Sequence, residues 1–179
     1  MSRRRVLVVC LLAALLIADG DRLPAPHARA AGVASRAGFG VSEVAATLAR
    51  ANRDLAPAEV ERIASAVVRY SRKYEIDPAL VTAVLLVESS ARPWARSPRG
   101  AIGLMQIMPH VVEPSMVAGN LATIESNIEG GCFVLAENIR RFGEEDGISA
   151  YFWGSNIRNL GYLARVRAAR EAVLRQAES

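Results

Sequence analysis

The sequence predicts a single, mainly helical domain with at most a small β-hairpin. Its 179 residues suffice for one domain with a hydrophobic core and are short for two. Only 6% of the residues are aromatic, which is low for an all-β protein, whereas the abundance of Ala, Leu, Glu and Arg favours helices. Apolar residues also recur at helical spacing through most of residues 42–179.

The first thirty residues have the organisation of a secretory signal peptide. Residues 3–5 are three arginines, and residues 6–17 form an unbroken apolar run that is too short to span a bilayer as a helix. Ala28 and Ala30 then provide the small residues that precede a cleavage site. We therefore expect residues 1–30 to direct export to the periplasm or the cell wall, without stable membrane insertion after cleavage. An uncleaved anchor is the alternative.

Residues 31–41 are small and Gly-rich, and we expect a flexible segment there, followed by the domain at residues 42–179. Residues 1–30 contain five Arg and two Asp, so the net charge falls from +4 for the whole chain to +1 for the remainder. This weak charge argues against nucleic acid as a partner. The remainder has one histidine, His110, and no metal or cofactor motif, so any catalysis should depend on carboxylates.

Helix start signals divide the first half of the domain into three helices. A short helical pattern covers residues 42–53, and Pro57 suits the first turn of a second helix. Asp77 is a capping residue, and Pro78 follows it at the first position of a third helix. That helix runs to about Ser90 and is the most apolar of the domain.

The second half contains loops and further helices. Pro and Gly residues predict turns over 91–103, with a hairpin at 100–108 and a helix with a loop over 109–119. Thr123 can cap a helix that ends near Phe142.

A turn at 143–147, a short helix at 148–153 and a final amphipathic helix at 156–176 complete six or seven helices. The residues of the final helix that we expect to face inward are Ile157, Leu160, Leu163, Val166 and Val173.

Glu88 is the residue whose position suggests chemistry. Val81, Val84 and Leu85 precede it by seven, four and three residues, so they share its helix face. A carboxylate there loses solvation and its pKa rises, which suits a general acid. The alternative is a helix-end glutamate that reaches water or pairs with an arginine, and helical spacing alone leaves both open.

Residues 100–109 read Gly-Ala-Ile-Gly-Leu-Met-Gln-Ile-Met-Pro. Two glycines three residues apart predict a tight turn or a close backbone approach. Gln106 stands among apolar residues and needs a hydrogen-bond partner, either backbone or a sugar amide. A purely structural loop, with Met105 in the core, explains the same pattern.

Residues 88–109 resemble the signature of the soluble lytic transglycosylase family, E-S-x-F-x-P-x-A-x-S-x-x-G-A-x-G-L-M-Q-I-M-P. The chain matches it at every named position except Ala91, where the family usually has an aromatic residue. The ordered run of matches is highly specific.

Two later segments extend the resemblance, which covers roughly residues 60–170. Residues 127–131 resemble the N-I-x-x-G element of the family, with Phe133 nearby. Residues 150–154 resemble its A-Y-N-x-G element, but Phe152 replaces the Asn.

The resemblance implies a lysozyme-like α+β fold, mainly helical, with a groove for a peptidoglycan glycan strand. Glu88 would protonate the glycosidic oxygen between N-acetylmuramic acid and N-acetylglucosamine. It would then take the proton of the muramoyl 6-hydroxyl, which closes onto C1 as a 1,6-anhydro end. No obvious second carboxylate accompanies Glu88 in the matched signature.

The same resemblance implies a set of substrate-binding residues: Ser89, Gly103, Met105, Gln106, Phe133 and Tyr151. Ser89 would orient Glu88 or touch the acetamido group, with a hydroxyl bonded to backbone as the alternative. Met105 and Gln106 would line the groove floor. Tyr151 would reach Glu88 or the substrate, with a core tyrosine as the alternative.

Three aromatic residues that match no named position of these motifs have open roles. Phe152 and Trp153 would stack on a sugar or fill the core, with core filling favoured for at least one of them. Trp94 would be exposed and line the groove.

Three other functions fit the same sequence. The scaffold could act as a muramidase that uses water, or as a non-catalytic peptidoglycan-binding or assembly protein. It could also open the wall for a secretion or conjugation machinery. A monomer is the default oligomeric state.

Overall fold

The computed structural model describes residues 39–112 and 119–178, which contain six helices and no β-strand. The helices are α1 (Val41–Ala51), α2 (Pro57–Lys73), α3 (Pro78–Ser89), α4 (Ile124–Phe142), α5 (Glu144–Trp153) and α6 (Gly161–Ala177). In place of a hairpin, isolated bridges pair Ile102 with Arg96 and with Ile107. The mainly helical class is therefore confirmed.

Several predictions concern residues outside the described part. The signal peptide at residues 1–30 and most of the segment 31–41 lie there, as do residues 113–118 of the expected helix and loop at 109–119. Phe39, the first described residue, packs against the hydrophobic core. Among the described helices, none has the length and apolar character needed to cross a membrane.

The predicted start signals operate as expected. Asp77 Oδ1 accepts a hydrogen bond of 2.9 Å from the Ala79 amide, and Pro78 is the first residue of α3. Thr123 Oγ1 accepts one of 3.4 Å from the Ser126 amide at the start of α4. Both side chains satisfy amides that the first helical turn leaves without partners.

The predicted start of α5 is wrong, because this helix begins at Glu144 and includes the expected turn. Three acidic residues occupy its first turn, where the helix dipole favours negative charge. Gly147, expected in the turn, lies inside the helix. A Cβ at this position would lie 2.6 Å from Ile139 Cα, so the missing side chain lets α5 approach α4 closely.

The predicted start of α6 is also wrong, since the helix begins at Gly161 rather than at residue 156. Leu160 therefore precedes the helix and is 58% exposed instead of facing inward. Leu163, Val166 and Val173 are buried as predicted.

α3 is the central helix of the fold. All of residues 79–85 are buried, and α3 packs against α1, α2 and α6. α4 packs against α2 and α5. α3 is thus enclosed over most of its length. Glu88 lies on its last turn, where this side chain is only partly buried.

Asn127 fixes the loop that follows α3 to helix α4. Its Nδ2 donates to the carbonyl oxygens of Ile102 and Leu121, each at 2.9 Å, and its Oδ1 accepts from the Met105 amide at 2.8 Å. Gly103 has a φ of +76°. A Cβ on Gly103 would lie 2.3 Å from Asn127 Nδ2, so both the backbone conformation and the close approach require glycine here.

Gly103→Ala should destabilise the protein more than Gly100→Ala. Both glycines have positive φ, but a Cβ on Gly100 meets nothing within 4 Å. We expect a loss of about 1–2 kcal/mol for Gly100→Ala from left-handed strain. Gly103→Ala should lose about 1–3 kcal/mol more, because the methyl group displaces Asn127. Urea unfolding measures both values, and equal losses would contradict this role of Asn127.

Candidate active site

Glu88 lies on the last turn of α3, where the helix leaves the core. Val81, Val84 and Leu85 on the preceding turns are fully buried, as the helical spacing predicts. Glu88 itself is partly buried. Ser90 then ends the helix in a left-handed conformation with a φ of 52°. α3 therefore places one carboxylate at the edge of the hydrophobic core.

Burial raises the pKa of the Glu88 carboxyl above its ordinary value, as the apolar neighbours predict. Two groups oppose this effect. The Tyr162 hydroxyl donates a hydrogen bond of 2.6 Å to Glu88 Oε1, and the positive charge of Arg165 acts in the same direction. Loss of solvation outweighs both, so the carboxyl binds its proton more tightly than an exposed glutamate does.

Tyr162 is the partner of Glu88 that the sequence analysis missed. It lies near the start of α6 and is only 2% exposed. Tyr162 precedes the buried Val166 by four residues and Val173 by eleven, so helical spacing could have placed it on the inward face. A buried tyrosine hydroxyl needs a polar partner, but no local pattern identifies a partner 74 residues away.

Tyr151 was expected to reach Glu88 or the substrate, and the hydrogen bond to Glu88 belongs to Tyr162 instead. The Tyr151 hydroxyl donates to the Met105 carbonyl oxygen at 2.8 Å. Burial raises the pKa of Tyr151 well above its ordinary value, and the negative charge of Glu88 adds to that rise. Tyr151 thus links α5 to the loop that contains Met105. Its contact with substrate stays a prediction.

Ser89 and Met105 contact protein groups, and their predicted contacts with substrate stay predictions. Ser89 is 1% exposed, and its Oγ donates to the Leu85 carbonyl oxygen at 3.2 Å, which is the backbone-bonded alternative. Met105 is fully buried. A Cβ on Gly131 would lie 2.6 Å from the Met105 side chain, so this glycine provides the space that Met105 fills.

Gln106 and Phe133 also contact protein groups. Gln106 has a φ of 47°, and its Nε2 donates to the carbonyl oxygens of Gly103 at 3.0 Å and Ala95 at 3.2 Å. Backbone and a sugar amide were the two partners considered for Gln106, and its amide nitrogen binds backbone. Phe133 is partly buried and packs edge-on against Tyr74, with ring centroids 6.0 Å apart. A sugar contact of either residue remains a prediction.

The next acidic side chains after Glu88 that the structure describes are paired with basic side chains. Glu125 forms an ion pair with Arg62 at 2.9 Å, and Glu129 pairs with Lys73. Glu113 lies outside the described residues. In the described part of the chain, no group of three or more His, Cys, Asp or Glu side chains is arranged to hold a metal ion.

Aromatic rings continue from Tyr162 towards solvent. Phe152 stacks on Tyr162 with centroids 5.0 Å apart and an angle of 17° between the rings, and it meets Trp153 edge-on at 4.9 Å. Phe152 is 47% exposed, so it does not simply fill the core. Trp153 is partly buried, and its Nε1 is buried without a hydrogen-bond partner in the described structure.

Trp94 is 67% exposed, as expected. It borders a cleft of about 520 Å³ between the end of α1, the start of α2 and residues 92–96. Glu88 is not among the residues that line this cleft.

A family model and the related proteins that match this chain are all named for transglycosylases. The family described as "Transglycosylase SLT domain" matches residues 65–165. A protein of Enterobacteria phage PRD1 named "Transglycosylase" is 40% identical over 92 residues, which are 51% of this chain and 34% of that protein. The "Membrane-bound lytic murein transglycosylase E" of Buchnera aphidicola (Acyrthosiphon pisum) is 49% identical over 39 residues, 22% of this chain and 18% of the relative.

Among solved structures, a Pseudomonas aeruginosa lytic transglycosylase Slt, in an inactive glutamate-to-glutamine mutant, covers 80% of this chain and 30% of its own length. Its TM-score is 0.47 at 21% identity. The chain thus spans about a third or less of the length of these proteins.

Glu88→Gln should stabilise the protein above neutral pH. Because burial raises the folded-state pKa of Glu88, the folded wild type binds more protons than the unfolded chain and gains stability as pH falls through that pKa. Glutamine carries no charge at any pH. We expect the variant's Tm to be higher by a few degrees, or about 1 kcal/mol, and this advantage to vanish below pH 4.5. The control is the exposed Glu61→Gln; the prediction fails if both variants behave alike.

Tyr162→Phe should raise the pKa of Glu88 further, because the lost hydrogen bond stabilises the ionised carboxylate. Titration of the Glu88 carboxyl carbon by NMR measures this shift. Tyr151→Phe is the matched control, since its hydroxyl donates to Met105 and not to Glu88. An equal rise in both variants would argue against a specific role of Tyr162.

Proposed function

The chain belongs to the transglycosylase SLT domain family, and on that premise we propose that it is a peptidoglycan lytic transglycosylase with Glu88 as its single acid/base. One observation carries the proposal. Glu88 is a partly buried carboxyl with a raised pKa, and a single tyrosine hydroxyl holds one of its oxygens. These are the properties that a group needs if it must first donate and then accept a proton.

In the first step, protonated Glu88 gives its proton to the glycosidic oxygen between N-acetylmuramic acid and N-acetylglucosamine. The bond from this oxygen to C1 of the muramic acid breaks, and its electron pair stays on the oxygen. The 2-acetamido group of the substrate stabilises the positive charge that develops at C1. Burial supports this step because it raises the pKa of the carboxyl and so favours its protonated form.

In the second step, ionised Glu88 takes the proton of the muramoyl 6-hydroxyl, and O6 bonds to C1. The product carries a 1,6-anhydro ring, and Glu88 is protonated again. Tyr162 and Arg165 stabilise the carboxylate that the first step leaves, since the hydrogen bond and the positive charge both favour the ionised form. No water is consumed over the two steps.

The engagement of Glu125 and Glu129 with Arg62 and Lys73 supports a mechanism with one carboxylate. Most glycosidases place two carboxyl groups on either side of the scissile bond. A muramidase that uses water is the alternative within the same fold. We further propose export by residues 1–30 and action in the periplasm or on the wall. The substrate-binding roles expected of Ser89, Gly103, Met105, Gln106, Phe133 and Tyr151 remain part of the proposal.

Mass spectrometry of muropeptides released from purified peptidoglycan tests this function. The wild-type protein should release 1,6-anhydromuramoyl products, and Glu88→Gln should lower the rate by about 10²–10⁴-fold, the range for loss of an acid/base group. Reducing-end products would instead identify a hydrolase. Absence of product from folded wild-type protein would favour a binding or assembly function.

A further inference from the structure

We propose that Phe152 is a stacking platform for a sugar ring of the glycan beside Glu88, an inference that rests on the proposed function. Phe152 stands where the motif of the family has Asn. A flat aromatic contact would thus replace a polar one at this position and shape the choice of sugar in the site.

The position of Phe152 relative to Glu88 is the first argument. Tyr162 holds Glu88 through its hydroxyl, and Phe152 stacks nearly parallel on the ring of Tyr162, with centroids 5.0 Å apart. Phe152 is therefore one ring removed from the tyrosine that contacts the reacting carboxylate. A sugar that presents its glycosidic oxygen to Glu88 would have its own or the neighbouring ring close to Phe152.

The exposure of Phe152 is the second argument. It is 47% exposed although Tyr162 and Trp153 both contact its ring. Ligand sites combine apolar and aromatic side chains with a few polar groups, and Phe152 beside the carboxyl that Tyr162 holds has this combination. The face of an aromatic ring carries negative charge density, which attracts the positively polarised C–H bonds on one face of a pyranose.

The rigidity of the Phe152 ring is the third argument. Stacking on Tyr162, the edge of Trp153 and the Arg165 guanidinium 5.9 Å from its centroid all restrict it. A restrained ring loses little conformational entropy when a sugar binds. The same contacts raise the alternative that Phe152 only positions Tyr162, so an experiment must separate stacking on a ligand from support of the tyrosine.

Binding of a GlcNAc–MurNAc tetrasaccharide to the full chain with Glu88→Gln measures the contact without turnover. Phe152→Leu keeps an apolar side chain of similar size but has no aromatic face. We expect it to raise the Kd about fivefold, in the range of an aromatic stacking contact, whereas Phe152→Trp should bind at least as tightly as the parent. Leu160→Ala is the matched control, because Leu160 is 58% exposed and apolar; its Kd should not change.

Two further measurements distinguish the alternatives. In protein that retains Glu88, the NMR titration of its carboxyl should be the same with Phe152→Leu, because a sugar platform does not act through Tyr162. Binding unchanged by Phe152→Leu, or weakened equally by Phe152→Leu and Phe152→Trp, overturns the proposal. A shifted Glu88 titration with unchanged binding also overturns it and assigns Phe152 to positioning. Absence of tetrasaccharide binding with Phe152 intact overturns the proposed function as well.

Discussion

The hydrogen bond from Tyr162 to Glu88 links the proposed acid/base to the packing of helix α6 on helix α3. It requires a glutamate at the end of α3 and a tyrosine near the start of α6, 74 residues apart. The two meet because α3 is buried over residues 79–85 and α6 packs along it. The apolar burial that stabilises the helices is therefore the same burial that raises the pKa of Glu88.

The most recognisable sequence segment mainly specifies backbone geometry. Gly103 admits Asn127, Gly131 admits Met105, and Tyr151 bonds the Met105 carbonyl oxygen. Gln106 likewise donates to backbone oxygens. A network of this kind leaves few buried polar groups without partners and holds the loop in one conformation. Residues expected to touch substrate thus hold the loop that follows α3, and a signature can mark a site by its scaffold as much as by its contacts.

Sequence reasoning succeeded where the cause was local. The Asp77 cap, the Thr123 cap and the burial on the face of Glu88 follow from residues within a few positions of each other. It failed where the cause was tertiary. Gly147 was interpreted as a turn residue because the sequence does not show that α4 packs against it. Tyr162 was missed because helical spacing identifies a buried face but not the residue that it contacts across the fold.

A group that is to serve as both acid and base, as we propose for Glu88, needs influences that favour each of its protonation states, and Glu88 has both kinds. Burial alone favours the neutral form of the carboxyl. The Tyr162 hydroxyl and the charge of Arg165 act against that preference without cancelling it, because the pKa remains raised. A formal ion pair would have reversed the balance and left the group permanently ionised. In the proposed reaction cycle, a neutral donor together with a cation that forms no ion pair with Glu88 among the described residues would let both protonation states occur.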